Sequence, residues 1–450
     1  MSGSGASPDH VGMSNLTSNF RSLAEITPAE RNRVVDLMRV VSILVVIFGH
    51  WLVAAVSFQD GELVTGHLLS MATWTHPLTW VLQVMPVFFF VGGYSNALSW
   101  RSAQRNGVGY GGWLRARLRR LVLPVIPLLV VWGVGGWVAF TAGFEWEALQ
   151  AASQVALVPT WFLATYVVIV ALAPPALMLW DRLGWRAVAI GIAGAVVVDV
   201  VSIGFGVEIV GFLNYVLVWG TVHMLGYAWV DGHIAGRRSR SALAGLGLVG
   251  LLGLVVVGPY ATAMVGAGTD GITNSFPPRI TLLCLGMLQA GLVLLAEPLL
   301  DRLAHRRSVW GGVVAVSSQI MTLYLWHFTA MILVIGAGVL AGGFGLGAVP
   351  NTAAWWLTRP VWFAVLTVVT VVLSLLFSRF ERPGPDSRPE PRAWRPVLAV
   401  LLTCFGLALL AESGIADTDG LNGLVLAAPF VGVMLGGVAG ARLSGRSIPS

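Results

Sequence analysis

Residues 36 to 51 read DLMRVVSILVVIFGHW, an apolar run of helix length into which Asp36, Arg39 and His50 are set. Arg39 and His50 are eleven positions apart, about three turns at 3.6 residues per turn, so they share one helix face about 16 Å apart along the axis. A charged side chain inside a membrane span costs roughly 2.5 to 3.5 kcal/mol on insertion scales, so such groups face a protein interior or a wet cavity and mark a pathway or site. The rest of the chain must supply that interior.

Its composition does so. Of 450 residues, 56% are hydrophobic and 11% charged, with a mean hydropathy of +0.80, too little charge to cover a soluble globule of this size. The net charge of +6 and pI near 9.9 arise from arginine alone. Those arginines sit between apolar runs rather than on one amphipathic patch, which excludes nucleic acid as a partner. Cys284 and Cys404 fall in separate apolar runs, where a thiol behaves as a small buried hydrophobe. No disulfide framework or metal motif is implied. The polar first 33 residues resemble a flexible cytoplasmic tail, and no cleavable signal peptide is expected, because the first apolar run is long and carries Arg39.

Apolar runs of about 17 to 25 residues predict an all-α polytopic membrane protein of about twelve transmembrane helices. They cover 37–57, 77–99, 121–141, 161–180, 186–203, 209–230, 242–264, 280–298, 313–340, 356–378, 396–412 and 422–441. Of the 27 arginines, 24 then fall in tails and loops of one side, from Arg21 to Arg446. The loops of the other side hold only Arg279 and Arg359, with Asp60, Glu62, Glu145, Glu147, Glu208, Asp270, Glu412, Asp417 and Asp419. Short cytoplasmic loops are enriched in arginine, so both termini are expected in the cytoplasm. The segment RFERPGPDSRPEPRAWRP, Arg379 to Pro396, is rich in proline and charge and reads as an extended linker. The expected organisation is a tail over 1–33, a ten-helix membrane domain over 34–380, a cytoplasmic linker over 381–395, two further helices over 396–441 and a tail over 442–450.

This orientation puts Arg39 near the cytoplasmic end of the first helix and His50 past its middle. The planar guanidinium suits a phosphate or carboxylate, and a neutral imidazole can take a proton from a hydroxyl at ordinary pH. Asp36, three residues before Arg39, is expected to hold that guanidinium in an ion pair. Arg115, Arg117, Arg119 and Arg120 precede Leu121 and Pro124, a cluster that serves either as a positive-inside anchor or as a docking site for a polyphosphate. In MPVFFFVGGYSNALSW, Met85 to Trp100, the Gly92-Gly93 step permits close helix packing or a kink, and Tyr94 sets a hydroxyl at that level. PTWFLATY, Pro159 to Tyr166, carries Trp161 at interface depth. TLYLWH, Thr322 to His327, places Tyr324 and His327 one turn apart in mid-span, while His223 and Asp199 are weaker candidates. There is no zinc spacing, nucleophile elbow, Walker loop or dinucleotide fingerprint, so soluble-enzyme templates and a metal site are excluded.

The order Asp-x-x-Arg, Arg-x10-His, FFF-x-Gly-Gly-Tyr, Arg-x-x-Arg before Pro, WFL and a late YLWH resembles the acyltransferase-3 family of integral-membrane O-acyltransferases, over roughly residues 30 to 380. The resemblance implies transfer of an acyl group, often acetyl, from cytoplasmic acyl-CoA to a hydroxyl of an envelope polysaccharide, peptidoglycan sugar or glycolipid, at a bacterial plasma membrane. It makes Arg39 and His50 the hallmark catalytic pair. Arg39, Arg115, Arg117 and Arg120 are then expected to hold the CoA phosphates, with Asp36, Tyr94, Tyr324 and His327 in support and no tightly bound cofactor. His50 would act as general base or acyl carrier, and Tyr94 and His327 are the candidates for oxyanion donor. Many relatives have Ser at Gly92 or Gly93, and some carry a soluble esterase-like domain where this chain has two more spans. A second transferase acting outside would therefore be another polypeptide. A lipid or sugar transporter using the same two residues is the competing expectation, against which the lack of an internal repeat counts.

Overall fold

The computed structural model describes residues 31–266, 272–381, 384, 386, 388–417 and 420–438. Residues 1–30 of the expected tail over 1–33, the expected tail over 442–450, and the outer-loop residues Asp270 and Asp419 lie outside that set. Ten helices among the described residues are long and apolar enough to cross a membrane, and an eleventh crossing forms if one pair bent by 44° counts as a single span. The all-α polytopic class expected of the sequence is therefore present, and of the twelve expected crossings ten or eleven are found among the described residues.

The helices are α1 (Arg33–Val53), α2 (Met85–Arg105), α3 (Tyr110–Val122), α4 (Val125–Thr141), α5 (Trp146–Leu157), α6 (Pro159–Leu183), α7 (Trp185–Asp199), α8 (Asn214–Val230), α9 (Arg237–Val257), α10 (Ile280–Ala304), α11 (Arg307–Ser317), α12 (Ile320–Leu340), α13 (Ala353–Phe377), α14 (Trp394–Ser413) and α15 (Gly423–Leu435). The bent pair is α3 and α4, which meet at Pro124. α15 has 13 residues, about 20 Å of rise against a hydrocarbon core of about 30 Å, so the described part of the twelfth expected span falls short. The ninth expected span, 313–340, divides into α11 and α12 at Ser318 and Gln319.

The first helix ends at Val53 rather than near 57. Ala54–Gln59 (β1) and Glu62–His67 (β2) pair antiparallel, with Gln59 opposite Glu62. Between them Asp60 and Gly61 both have positive φ, 50° and 89°. Asp-Gly favours this two-residue hairpin turn, which pulls the apolar residues before it out of the helix. Glu145 and Glu147 likewise introduce the helix α5 rather than an outer loop.

The bundle core is aromatic where α2, α6 and α8 meet. Phe89 stacks on Trp219 at 4.7 Å and Phe90 on Trp229 at 5.2 Å. Gly93 lets α8 approach, because a Cβ there would stand 1.9 Å from the His223 carbonyl oxygen. This is the packing role expected of the Gly-Gly step.

The arginines assigned to outer loops are also within the fold. Arg279 Nη1 is 3.3 Å from the Asp199 carboxylate, which also accepts from Asn214, Tyr260 and the Ile280 amide. Arg359 lies on α13, buried, with its guanidinium over the Trp355 ring at 4.1 Å and the Trp362 ring at 5.2 Å. Both residues therefore belong to helices and their junctions.

Candidate active site

The site is built on one face of α1. Asn32 caps the helix by accepting from the amides of Val34 and Val35. Asp36 pairs with Arg31, whose Nε lies 2.5 Å from its carboxylate, and not with Arg39 as expected. Arg31 sits before the helix, where its longer reach brings it back over the first turn. Arg39 is left without a hydrogen bond or ion pair among the described residues. Above it along the same face run Ser42, Ile43 and Val46, which with Val84, Met85, Phe88, Phe162 and Tyr324 line a crevice too narrow to admit a water molecule. His50 stands one turn beyond Val46.

His50 is joined to the far side of the chain. Its Nδ1 lies 3.0 Å from Nε2 of His327, and the two rings are nearly parallel at 9°. The other ring nitrogen of His327, Nδ1, lies 2.5 Å from the Tyr324 carbonyl oxygen. A carbonyl only accepts, so Nδ1 of a neutral His327 carries the hydrogen and its Nε2 is an acceptor. His50 Nδ1 must then donate, which leaves Nε2 of His50 as an unprotonated lone pair. The tautomer of the candidate base is thus fixed by a chain of two hydrogen bonds.

Packing holds this pair in place. His327 is fully buried, and Phe328 lies 4.8 Å from the His50 ring and 4.6 Å from the His327 ring. Trp51 Nε1 donates to the His327 carbonyl at 3.2 Å, and Trp362 Nε1 donates to the Trp51 carbonyl at 3.3 Å. The Tyr324 hydroxyl donates to the Pro159 carbonyl at 3.0 Å. Both ring nitrogens of His327 are committed, so it serves as the orienter of His50 and has no free hydrogen for an oxyanion.

Arg39 lies one turn before Ser42 on the same face, and Arg117 is close enough to Arg39, Arg120 and Tyr166 to interact with each electrostatically. Among the described residues, none of the three arginines has a carboxylate within ion-pair distance. An uncompensated cluster of this kind is suited to an anion with several oxygens.

Arg115 and Arg119 face the expected linker instead. Asp386 Oδ2 lies 3.1 Å from Arg115 Nε and 3.2 Å from Arg119 Nη1. Arg115 also donates to the carbonyls of Pro389 and Arg388, at 2.9 and 3.1 Å. Hydrogen bonds from Arg388, with the charge of Arg115 beside it, hold the Asp386 carboxyl well below the usual carboxylate range. Glu390 accepts from the amides of Gly109 and Gly112 at the start of α3, and Glu381 from the amides of Met321 and Thr322 at the start of α12. The described residues of 381–393 therefore form a strap that ties the arginine helix to the histidine helix. Arg115, expected beside Arg117 and Arg120 at the phosphates, is engaged by this strap.

The model of the acyltransferase domain of the acyltransferase-3 family matches residues 32–379. The chain belongs to that family. No curated protein and no solved structure matches it. In this membrane acyltransferase the matched segment holds α1 to α13, and the strap and α14 and α15 lie beyond it.

Two other residues of the acyltransferase have different surroundings from those its sequence suggests. Tyr94 lines a polar cavity of about 810 Å³ with Arg31, Arg33, Arg240, Glu297 and His305. That cavity opens at the Val34 end of α1, about 24 Å along the helix from His50, so Tyr94 is not placed to stabilise an oxyanion there. His223 accepts from or donates to Asn96 at 3.1 Å and Tyr227 at 2.9 Å, a closed network inside the bundle. Trp51 and Trp362 are the supporting residues that sequence reading missed. The only signal was that Trp51 follows His50.

Proposed function

We propose that the protein transfers an acyl group, most simply acetyl, from acyl-CoA to a hydroxyl of a cell-envelope glycan or glycolipid at a bacterial plasma membrane. The observation that carries this reading is the ordered His50–His327–Tyr324 chain at one end of the α1 face and, toward the other, Arg39, Arg117 and Arg120, which have no ion pair among the described residues. The arginines bind the donor phosphates from the cytoplasmic side. The thioester then lies along the crevice toward His50.

His50 Nε2 takes the proton of the acceptor hydroxyl as the hydroxyl oxygen attacks the thioester carbonyl carbon. The tetrahedral intermediate collapses by breaking the carbon–sulfur bond, and the CoA thiolate recovers the proton from Nε2. During this step His50 is an imidazolium whose Nδ1–H remains on His327. An orienting acceptor of this kind fixes the base and steadies the cation, as the third member of a catalytic triad does. The crevice walls are largely apolar, which disfavours water beside the thioester and so limits its hydrolysis.

Membranes containing the protein, given radiolabelled acetyl-CoA, should label an envelope fraction, and His50→Ala and Arg39→Ala should each abolish that label. Normal labelling by both folded variants would sink this reading. Acid-quenched protein should carry no acetyl group on the His50 peptide; a trapped acetyl-histidine would make His50 the acyl carrier instead.

A further inference from the structure

Ser42 is the polar residue on the α1 face that the chemistry above leaves unused. It lies about 4.5 Å past Arg39 and about 12 Å short of His50 along the axis. Its residue is 1% exposed and its hydroxyl has no hydrogen-bond partner. Serine within a helix ordinarily returns its hydroxyl to a carbonyl three or four residues back. Ser95 does so with Val91 and Ser413 with Leu409, each at 2.9 Å. Ser42 does not, and instead borders the crevice walled by Ile43, Val46, Met85, Phe88 and Phe162. No water can satisfy it there, because the space is too narrow for one and the neighbouring walls are apolar. A buried hydroxyl without a partner destabilises the empty protein. Its partner is therefore to be sought in what enters the crevice.

We infer that the Ser42 hydroxyl is a binding residue for the arm of the thioester donor, to which it hydrogen-bonds at an amide when the donor opens the crevice. The assignment rests on the donor reading above. The arm of CoA carries a dimethyl carbon, a hydroxyl and two secondary amides between the pyrophosphate and the sulfur, and the first amide lies only a few bonds from the phosphate. With the phosphates at Arg39 and the thioester at His50, the arm runs along the α1 face past Ser42. Its first amide would there be buried among apolar side chains, at a cost unless it finds a polar partner. The unmatched hydroxyl and the unmatched amide satisfy one another.

The test compares binding of CoA with binding of 3′,5′-ADP, which keeps the phosphorylated nucleoside and lacks the arm, to purified wild type and Ser42→Ala. Ser42→Ala is expected to weaken CoA binding about 5- to 10-fold, the worth of one hydrogen bond to a buried group, and to leave 3′,5′-ADP binding within about twofold. The unliganded variant should melt no lower than wild type, because it loses an unpaired hydroxyl. Unchanged CoA binding by Ser42→Ala, or equal loss of both ligands, overturns the assignment while leaving the donor reading intact. Wild type that binds neither ligand refutes the donor reading, and this assignment with it.

Discussion

Replacing His327 tests the tautomer chain directly. Alanine at 327 removes the acceptor that holds His50 Nδ1–H at 3.0 Å, so the His50 ring can place its hydrogen on either nitrogen and can turn. The Nε2 lone pair is then available only part of the time and in fewer orientations. The loss of one net hydrogen bond sets a floor of about 0.5 to 1.5 kcal/mol on the barrier. Disturbing the orienting partner of a catalytic histidine reaches about 10⁴ in kcat where that partner is a charged carboxylate. His327 is neutral, so an intermediate loss of about 10- to 100-fold in kcat is expected, or about 1.4 to 2.7 kcal/mol. Gln at 327 can set its amide oxygen where Nε2 of the imidazole lies and should recover most of the rate. The donor KM should stay within about twofold in both variants, because the arginine cluster is untouched. The assay is steady-state transfer from acetyl-CoA by detergent-purified protein whose monodispersity matches wild type. Wild-type kcat in folded His327→Ala, or a Gln variant as slow as the Ala variant, would refute the chain.

Three further outcomes follow from the same geometry. Arg117→Ala and Arg120→Ala should each raise the acetyl-CoA KM roughly tenfold with little change in kcat, the worth of a charge-assisted phosphate contact, and the effect should shrink in high salt; a fall in kcat alone would contradict the phosphate role. Asp386→Asn should loosen the strap and lower the melting temperature at pH 5 to 8. Because the Asp386 carboxyl is held below its ordinary value, its contribution is fully present above an unfolded carboxylate pKa of about 4 and is lost as pH falls toward the folded value. The melting difference between wild type and Asp386→Asn should therefore be flat from pH 5 to 8 and shrink below about pH 4, and a difference that varies between pH 5 and 8 would rule the charge out as its source. Gly93→Ala drives a Cβ to within 1.9 Å of the His223 carbonyl oxygen and should prevent stable folding, whereas Gly253→Ala, with nothing within 4 Å, should be neutral in thermal unfolding.

Much of this site was legible because its first half is local. A helix period alone puts Arg39 and His50 on one face, and the crevice residues Ser42 and Val46 fall on the same stripe. The second half is not local. His50 and His327 are 277 positions apart, and a histidine in mid-span carries no mark of which other histidine it will meet. Asp36 shows the limit of neighbour rules: an acid three residues from an arginine favours a pair, yet Arg31, outside the helix and free to fold back, takes the carboxylate. The hairpin after α1 had its signal in Asp60-Gly61, but the apolar run leading into it reads equally as helix. The arginines before Pro124 were visible as a cluster, and only the fold shows that Asp386 takes Arg115 and Arg119 and that Arg117 and Arg120 have no ion pair among the described residues. Hydropathy is likewise blind to where a helix stops: the apolar run 422–441 reads as one span, whereas the described helix within it, α15, has 13 residues.

In the proposed mechanism the lone pair on His50 Nε2 takes the acceptor proton. That step is tested most directly by the single-turnover rate of acetyl transfer from acetyl-CoA to an envelope acceptor by purified wild type and by folded His50→Ala. His50→Ala is expected to lose about 10²- to 10⁴-fold in that rate with CoA binding unchanged, since the base is removed and the arginines remain. A His50→Ala protein that transfers acetyl at close to the wild-type rate would contradict it.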